Sequence, residues 1–123
     1  MNLNSSQKGD QLEKIIFDIF SEEIENDRFS VKKQYCRIFR RKGYYSKDRE
    51  GNIVFDITIE IYMPGQTAYS MLIIIECKNY NHPVPVDDAE EFYGKVEQIA
   101  GGNGKAIIAS TSAFQKSTHN YCN

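Results

Sequence analysis

The apolar positions of this chain alternate between a helical period and a strand period. From Asp10 to about Asn26, Leu12, Ile15, Ile16, Ile19, Phe20 and Ile24 recur at three-and-four spacing, which predicts one face of an amphipathic helix. Ser30 to Arg41 mixes Val, Tyr, Ile and Phe with basic residues and predicts a strand, ended by Gly43 and the polar turn from Ser46 to Asn52. Ile53 to Met63 predicts a second strand, with Phe55, Ile57, Ile59, Ile61 and Met63 on one face and Val54, Asp56, Thr58, Glu60 and Tyr62 on the other. Pro64-Gly65 marks a turn, and the aliphatic run within Tyr69 to Cys77 predicts a strand buried on both faces, central in its sheet. Asp87 with Glu90 reads as a capping box ahead of a helical stripe of Ala89, Phe92, Tyr93, Val96, Ile99 and Ala100, stopped by Gly101-Gly102. Lys105 to Ser110 is a further short strand, and Ser112 is placed to cap a last helix beginning at Ala113-Phe114.

Helix, strand, strand, strand, helix, strand, helix is the order of an α/β domain whose mixed sheet is covered on both faces. The helix joining the third and fourth strands predicts that these two run parallel, with functional groups near the strand ends beside that crossover. A length of 123 residues suits one domain over 1–123, and the last helix, cut short at Asn123, leads us to expect a piece of a longer protein with a further domain. A composition 41% hydrophobic and 26% charged is that of a soluble globular chain. With no long apolar run and no signal-peptide pattern at the start, a cytoplasmic protein without membrane contact is expected. Three cysteines without a Cys-x-x-Cys pair point to reduced, small apolar residues rather than to a disulfide or zinc framework.

The net charge of −2 is unusual for a nucleic-acid binder, but its distribution is uneven. Nine basic residues between Arg28 and Arg49 face a single acid, Asp48, with Tyr35, Phe39, Tyr44 and Tyr45 interleaved. Lys33, Arg37, Arg41 and Tyr44 are therefore candidate nucleic-acid contacts. The same pattern also fits a solvated edge strand that its charges protect from aggregation.

The chemistry-bearing residues lie at the end of the buried strand. Glu76 and Lys78 are two apart, so their side chains share one side of the sheet while Cys77 points to the other. Charges at the end of such an apolar strand need compensation, and a divalent cation can supply it. If the second and third strands form a hairpin across Pro64-Gly65, its midpoint is residue 66 and Asp56 approaches Glu76. Two carboxylates, with the Cys77 carbonyl as a third ligand, suit Mg²⁺, with Mn²⁺ expected to substitute. Such an ion neutralises phosphate charge and lowers the pKa of water, the requirements of phosphodiester hydrolysis, with Lys78 orienting or deprotonating the nucleophile or stabilising the phosphate.

Asp56, Glu76-Cys77-Lys78 and the helix carrying Glu13 resemble the PD-(D/E)XK nuclease superfamily. The stretch from Ile73 to Tyr121 resembles its Mrr-like restriction endonuclease branch: an apolar strand ending in Glu-Cys-Lys, a helix with Val86 and Phe92, a glycine loop, an apolar strand and a Thr/Ser turn before Phe114. The resemblance implies a restriction-endonuclease-like three-layer sandwich, a central mixed β-sheet flanked by helices. It also implies double-stranded DNA as substrate, Asp56 and Glu76 as metal ligands, Lys78 as a catalytic group and Glu13 as an auxiliary acid of the first helix. Phe55, Thr118 and Cys122 depart from the branch's usual residues.

Other readings remain beside it. Glu13 also suits the start of a helix simply as a dipole partner. Glu60, about 13 Å along the strand from Asp56, reads as a surface acid. Lys95 and Gln98 can reach phosphate or only solvate the second helix, while His82 and His119 read as loop and surface residues. A catalytically inactive module of the same fold, binding nucleic acid or a partner protein, and a small α/β protein with a structural Glu76–Lys78 ion pair are the alternatives. For an active enzyme, a homodimer is the simplest way to cut both strands with one site per chain.

Overall fold

The computed structural model describes residues 4–111 and 116–122. Its first helix, α1 (Ser5–Glu25), begins at Ser5 rather than Asp10, because Asn4 caps it ahead of the apolar stripe. The Asn4 side chain accepts from Gln7 N–H, and the Gln7 side chain accepts from Asn4 N–H. Leu12, Glu13 and Ile24 are buried, while Ile15 and Ile19, expected on the core face, are half exposed.

The chain continues through a 3₁₀ turn (Lys33–Tyr35) into β1 (Cys36–Arg40), β2 (Gly43–Ser46), β3 (Gly51–Val54), β4 (Ile57–Ile61) and β5 (Met71–Lys78). After α2 (Val86–Ala100) and a second 3₁₀ turn (Gly101–Asn103) come β6 (Gly104–Ser110) and α3 (Lys116–Cys122). The main sheet has the order β1-β4-β5-β6. Its first two pairings are antiparallel and β5–β6 is parallel, as the crossover through α2 requires. Strand β5 is central and β4–β5 is a hairpin with Ile57 opposite Ile75 and Ile61 opposite Met71, centred on residue 66 as expected. Gly65 takes a left-handed φ of 78° in that turn.

Two strand expectations need correction. The segment Ser30 to Arg41 is a strand only from Cys36, and Ile53 to Met63 is broken at Phe55-Asp56. The hairpin β2–β3 bends out of the main sheet as a separate pair of strands. Across the bend, Arg41 N–H donates to the Asp56 carbonyl at 3.0 Å and Phe55 N–H to the Lys42 carbonyl at 3.2 Å, so little hydrogen bonding is lost. The bend also breaks the period of two. Phe55 joins Tyr44, Ile53, Leu72, Ile74, Phe92 and Val96 in the core beneath α2, while Ile57, Ile59 and Ile61 join Ile73, Ile75 and Ile24 beneath α1. Phe55 and Ile57 therefore do not share a face. The sheet lies between α1 on one side and α2 on the other, the three-layer α/β arrangement with a central mixed sheet.

The expected Asp87 capping box does not form. Helix α2 starts at Val86 with Pro85 at the cap and no side-chain cap, and Asp87 and Asp88 lie in the first turn, where their charges favour the dipole. Gly104 lets β6 leave α2 closely, since a Cβ there would lie 2.6 Å from Ala100 Cβ. Ser112 and the Ala113-Phe114 helix start lie outside the described residues. Cys36, Cys77 and Cys122 are free thiols, as expected, but Cys122 is exposed rather than part of the core. Among the described residues no helix is long and apolar enough to cross a membrane.

Candidate active site at the end of β5

The hairpin register carries Asp56 to the position beside Glu76, one step past the Ile57–Ile75 pair. Asp56 Oδ2 accepts the Cys77 N–H at 2.9 Å, which fixes the carboxylate against the end of β5. The Asp56 carboxyl is the close neighbour of Glu76. Burial first, and then the neighbouring Asp56, raise the Glu76 pKa against the opposing pull of Lys78 and Lys95, so Glu76 holds a proton that an exposed glutamate would lose. The Cys77 thiol, on the opposite side of β5, is pushed up to about 12 by burial and by Asp56 and Glu13.

Glu13 comes to the same place from α1. It lies one helical turn before Ile16 and Phe17, which pack on the sheet, so the face that packs also carries the acid. Burial first, then the charge of Asp56, raise its pKa, and Arg40 pulls the other way through a 3.2 Å ion pair. The register of α1 is held at this end by Asn79, whose Nδ2 donates to the Lys8 carbonyl at 2.9 Å. Its Oδ1 accepts from Thr111 Oγ1 at 2.7 Å, tying α1 to the ends of β5 and β6.

Lys78 projects on the side of Glu76. Burial lowers its pKa, but the Glu76 charge and the neighbouring Tyr80 outweigh that and raise it. The Tyr80 ring lies 5.8 Å from Lys78 Nζ, and its hydroxyl donates to Asp88 Oδ2 of α2 at 2.7 Å. His82, exposed in its loop, stacks on Tyr80 with ring centroids 4.7 Å apart.

The four expected site residues Glu13, Asp56, Glu76 and Lys78 are thus brought to one strand end. Tyr80, Asp88, Asn79, Arg40 and Lys95 are the neighbours that sequence reasoning missed or set aside. Only Tyr80 carried a local signal, being two residues beyond Lys78 on the same side of the chain.

Other expectations are corrected. Glu60 is not a surface acid: it is 2% exposed and takes Lys42 Nζ, Tyr44 Oη and Tyr62 Oη, each at 2.6 Å. Tyr44 is buried with its hydroxyl bonded to Thr58 and Glu60, so it is a core residue rather than a nucleic-acid contact. Gln98 Oε1 is occupied by Ser46 Oγ and Arg49 Nε of the bent hairpin. Thr118, where the resemblance departed, is buried and donates to the Val84 carbonyl at 2.8 Å, anchoring α3. Lys33, Arg37 and Arg41 remain exposed. Of these only Arg41 reaches a site acid, with Nη1 3.0 Å from Asp56 Oδ1, whereas Arg37 stacks over Tyr62 and Lys33 lies 3.8 Å from Glu25.

Among the described residues no three His, Cys, Asp or Glu side chains gather as a ready-made metal cage. The two half-buried acids Asp56 and Glu76, side by side at the strand end, nonetheless form a hard-oxygen donor pair. That is the chemistry suited to a cation of the Mg²⁺ type, which keeps several waters and needs only one or two carboxylates.

The Mrr_cat family model, described as "Restriction endonuclease", matches residues 5–123. A crystal structure described as that of a protein of unknown function, AF1548, is similar with a TM-score of 0.60 over 89% of this chain, at 14% identity. This chain spans 50% of that one, and the likeness is one of fold. No curated protein matches.

Proposed function

We propose, for a chain that belongs to the Mrr-type restriction endonuclease family, that it is a metal-dependent endonuclease hydrolysing phosphodiester bonds of double-stranded DNA. The observation that carries this reading is the Asp56–Glu76 pair, two half-buried acids set beside each other with Lys78 on the same side. Repulsion between them is the cost of an arrangement that a bound cation turns into an advantage. Asp56 and Glu76 would hold one Mg²⁺ or Mn²⁺ with the Cys77 carbonyl, and when bound the ion supplies positive charge against a phosphate and acidifies water.

The chain's own residues supply the rest. Lys78, beside Tyr80, orients the attacking water and offers a point charge to the phosphate as negative charge builds. Its raised pKa makes it a charge donor at neutral pH rather than a base. Glu13, whose pKa burial and Asp56 raise, contributes as an auxiliary acid beside Asp56. Action on both strands is assigned to a homodimer.

Plasmid nicking with Mg²⁺ or Mn²⁺ tests this. Wild type is expected to cut and Lys78→Ala to lose about 10²- to 10⁴-fold in rate. Cleavage that survives the substitution overturns the role of Lys78, and no cleavage by wild type overturns the proposal.

A further inference from the structure

Two adjacent arginines stand where the chain leaves the main sheet after β1, and each takes one site acid: Arg40 pairs with Glu13 and Arg41 with Asp56. They differ in freedom. The Arg41 side chain is 62% exposed, and its backbone has a left-handed φ of 55°, a conformation that residues other than glycine adopt at a cost. Together with Asp10, Gln11, Glu13, Lys14 and Arg40 it lines an open cleft of about 590 Å³ beside the site.

The oxygen it takes matters. Asp56 Oδ2 accepts the Cys77 N–H, and the guanidinium rests on the other oxygen, Oδ1, at 3.0 Å. A divalent cation and a guanidinium repel each other at one carboxylate oxygen, and an ion pair this exposed is easily given up. Once released, the guanidinium needs little desolvation to meet a new anion in the cleft, and its planar fork of donors matches a phosphate.

We infer that Arg41 is the exchange partner of the metal: it neutralises Asp56 Oδ1 in the metal-free protein and moves to a DNA phosphate when a divalent ion takes that oxygen. The inference rests on the nuclease reading and goes beyond it, because it couples the two ligands. Metal frees the arginine that holds DNA, and by linkage DNA tightens metal binding by the same factor.

The test pairs a calorimetric Mn²⁺ titration without DNA with binding of a labelled DNA duplex in Ca²⁺ across a salt series. It compares wild type, Arg41→Ala, Arg41→Gly, Lys14→Ala and Asp56→Asn, each checked by thermal melting. Arg41→Gly keeps the left-handed backbone and guards against a folding artefact. Lys14→Ala removes a different cation from the same cleft, one paired with Asp18 at 2.8 Å. Both Arg41 variants are expected to bind Mn²⁺ about two- to fivefold more tightly, the size an exposed ion pair supports. They should bind DNA more weakly, with a salt slope reduced by about one. Lys14→Ala should leave Mn²⁺ affinity unchanged. Equal Mn²⁺ affinity in wild type and Arg41→Ala, equal tightening by Lys14→Ala, or an unchanged salt slope overturns the inference and leaves the nuclease reading standing. Absence in wild type of any Mn²⁺ binding that Asp56→Asn removes overturns both.

Discussion

Glu60 and Glu76 lie on neighbouring strands of one sheet and are treated in opposite ways. Glu60 is buried under the bent hairpin, and burial raises its pKa, but Lys42, Tyr44 and Tyr62 more than reverse this and leave it lowered. Glu76 meets another acid instead of three donors, and burial and Asp56 raise it. Burial alone therefore does not mark a functional carboxylate. Glu60, ringed by donors, fastens the hairpin to the sheet, whereas Glu76 is set beside another acid.

The largest expected effect separates the two by function. Glu76→Gln should lower DNA cleavage by roughly 10²- to 10³-fold or more, the scale of losing one preorganised charge-stabilising group. It should also raise the melting temperature of the metal-free protein at pH 8. Glu60→Gln should do the reverse, costing about 2 kcal/mol of stability by denaturant unfolding, since it weakens a network that satisfies buried donors. A destabilising Glu76→Gln, or a neutral Glu60→Gln, would erase the contrast.

The pH dependence of stability sharpens it. Below the ordinary value of 4.5 Glu76 is protonated in both states; from there to its folded value of about 8 only the unfolded chain releases the proton. Metal-free stability should therefore fall as pH rises across that window and level off above it. Glu60 has the opposite sign: its contribution is present above 4.5 and is lost as pH falls through its lowered folded value. Thermal melts from pH 3 to 9 should show the neutral limb flattened in Glu76→Gln and the acid limb flattened in Glu60→Gln. Saturating Mg²⁺ should also flatten the neutral limb of wild type.

Smaller effects probe the supporting residues. Asn79→Ala removes the tie between α1 and the ends of β5 and β6, and about 1 kcal/mol of stability should go with it. Tyr62→Phe deletes one of three donors to Glu60 from a partly exposed ring, and no more than about 1 kcal/mol should be lost. If Tyr62→Phe costs more than Glu60→Gln, the network is not centred on the carboxylate.

Much of the site was legible in the chain itself. The strict alternation of β5 puts Glu76 and Lys78 on one side, and the Pro64-Gly65 turn centres the hairpin on residue 66, bringing Asp56 to Glu76. Both inferences depend on local geometry, the period of a strand and the length of a turn. The bend at Phe55-Asp56 had no such signature, because the alternation runs through it in sequence while the burial reverses. The burial of Glu60 followed from that bend, which folds Tyr44 and Lys42 over it from 16 and 18 residues away. Periodicity and turn chemistry thus determined which side chains share a strand face, since those are nearest-neighbour properties of the backbone. Which acid found donors, which met another acid, and which arginine came to rest on Asp56 were decided by tertiary packing, because the partners of a buried charge come from distant segments.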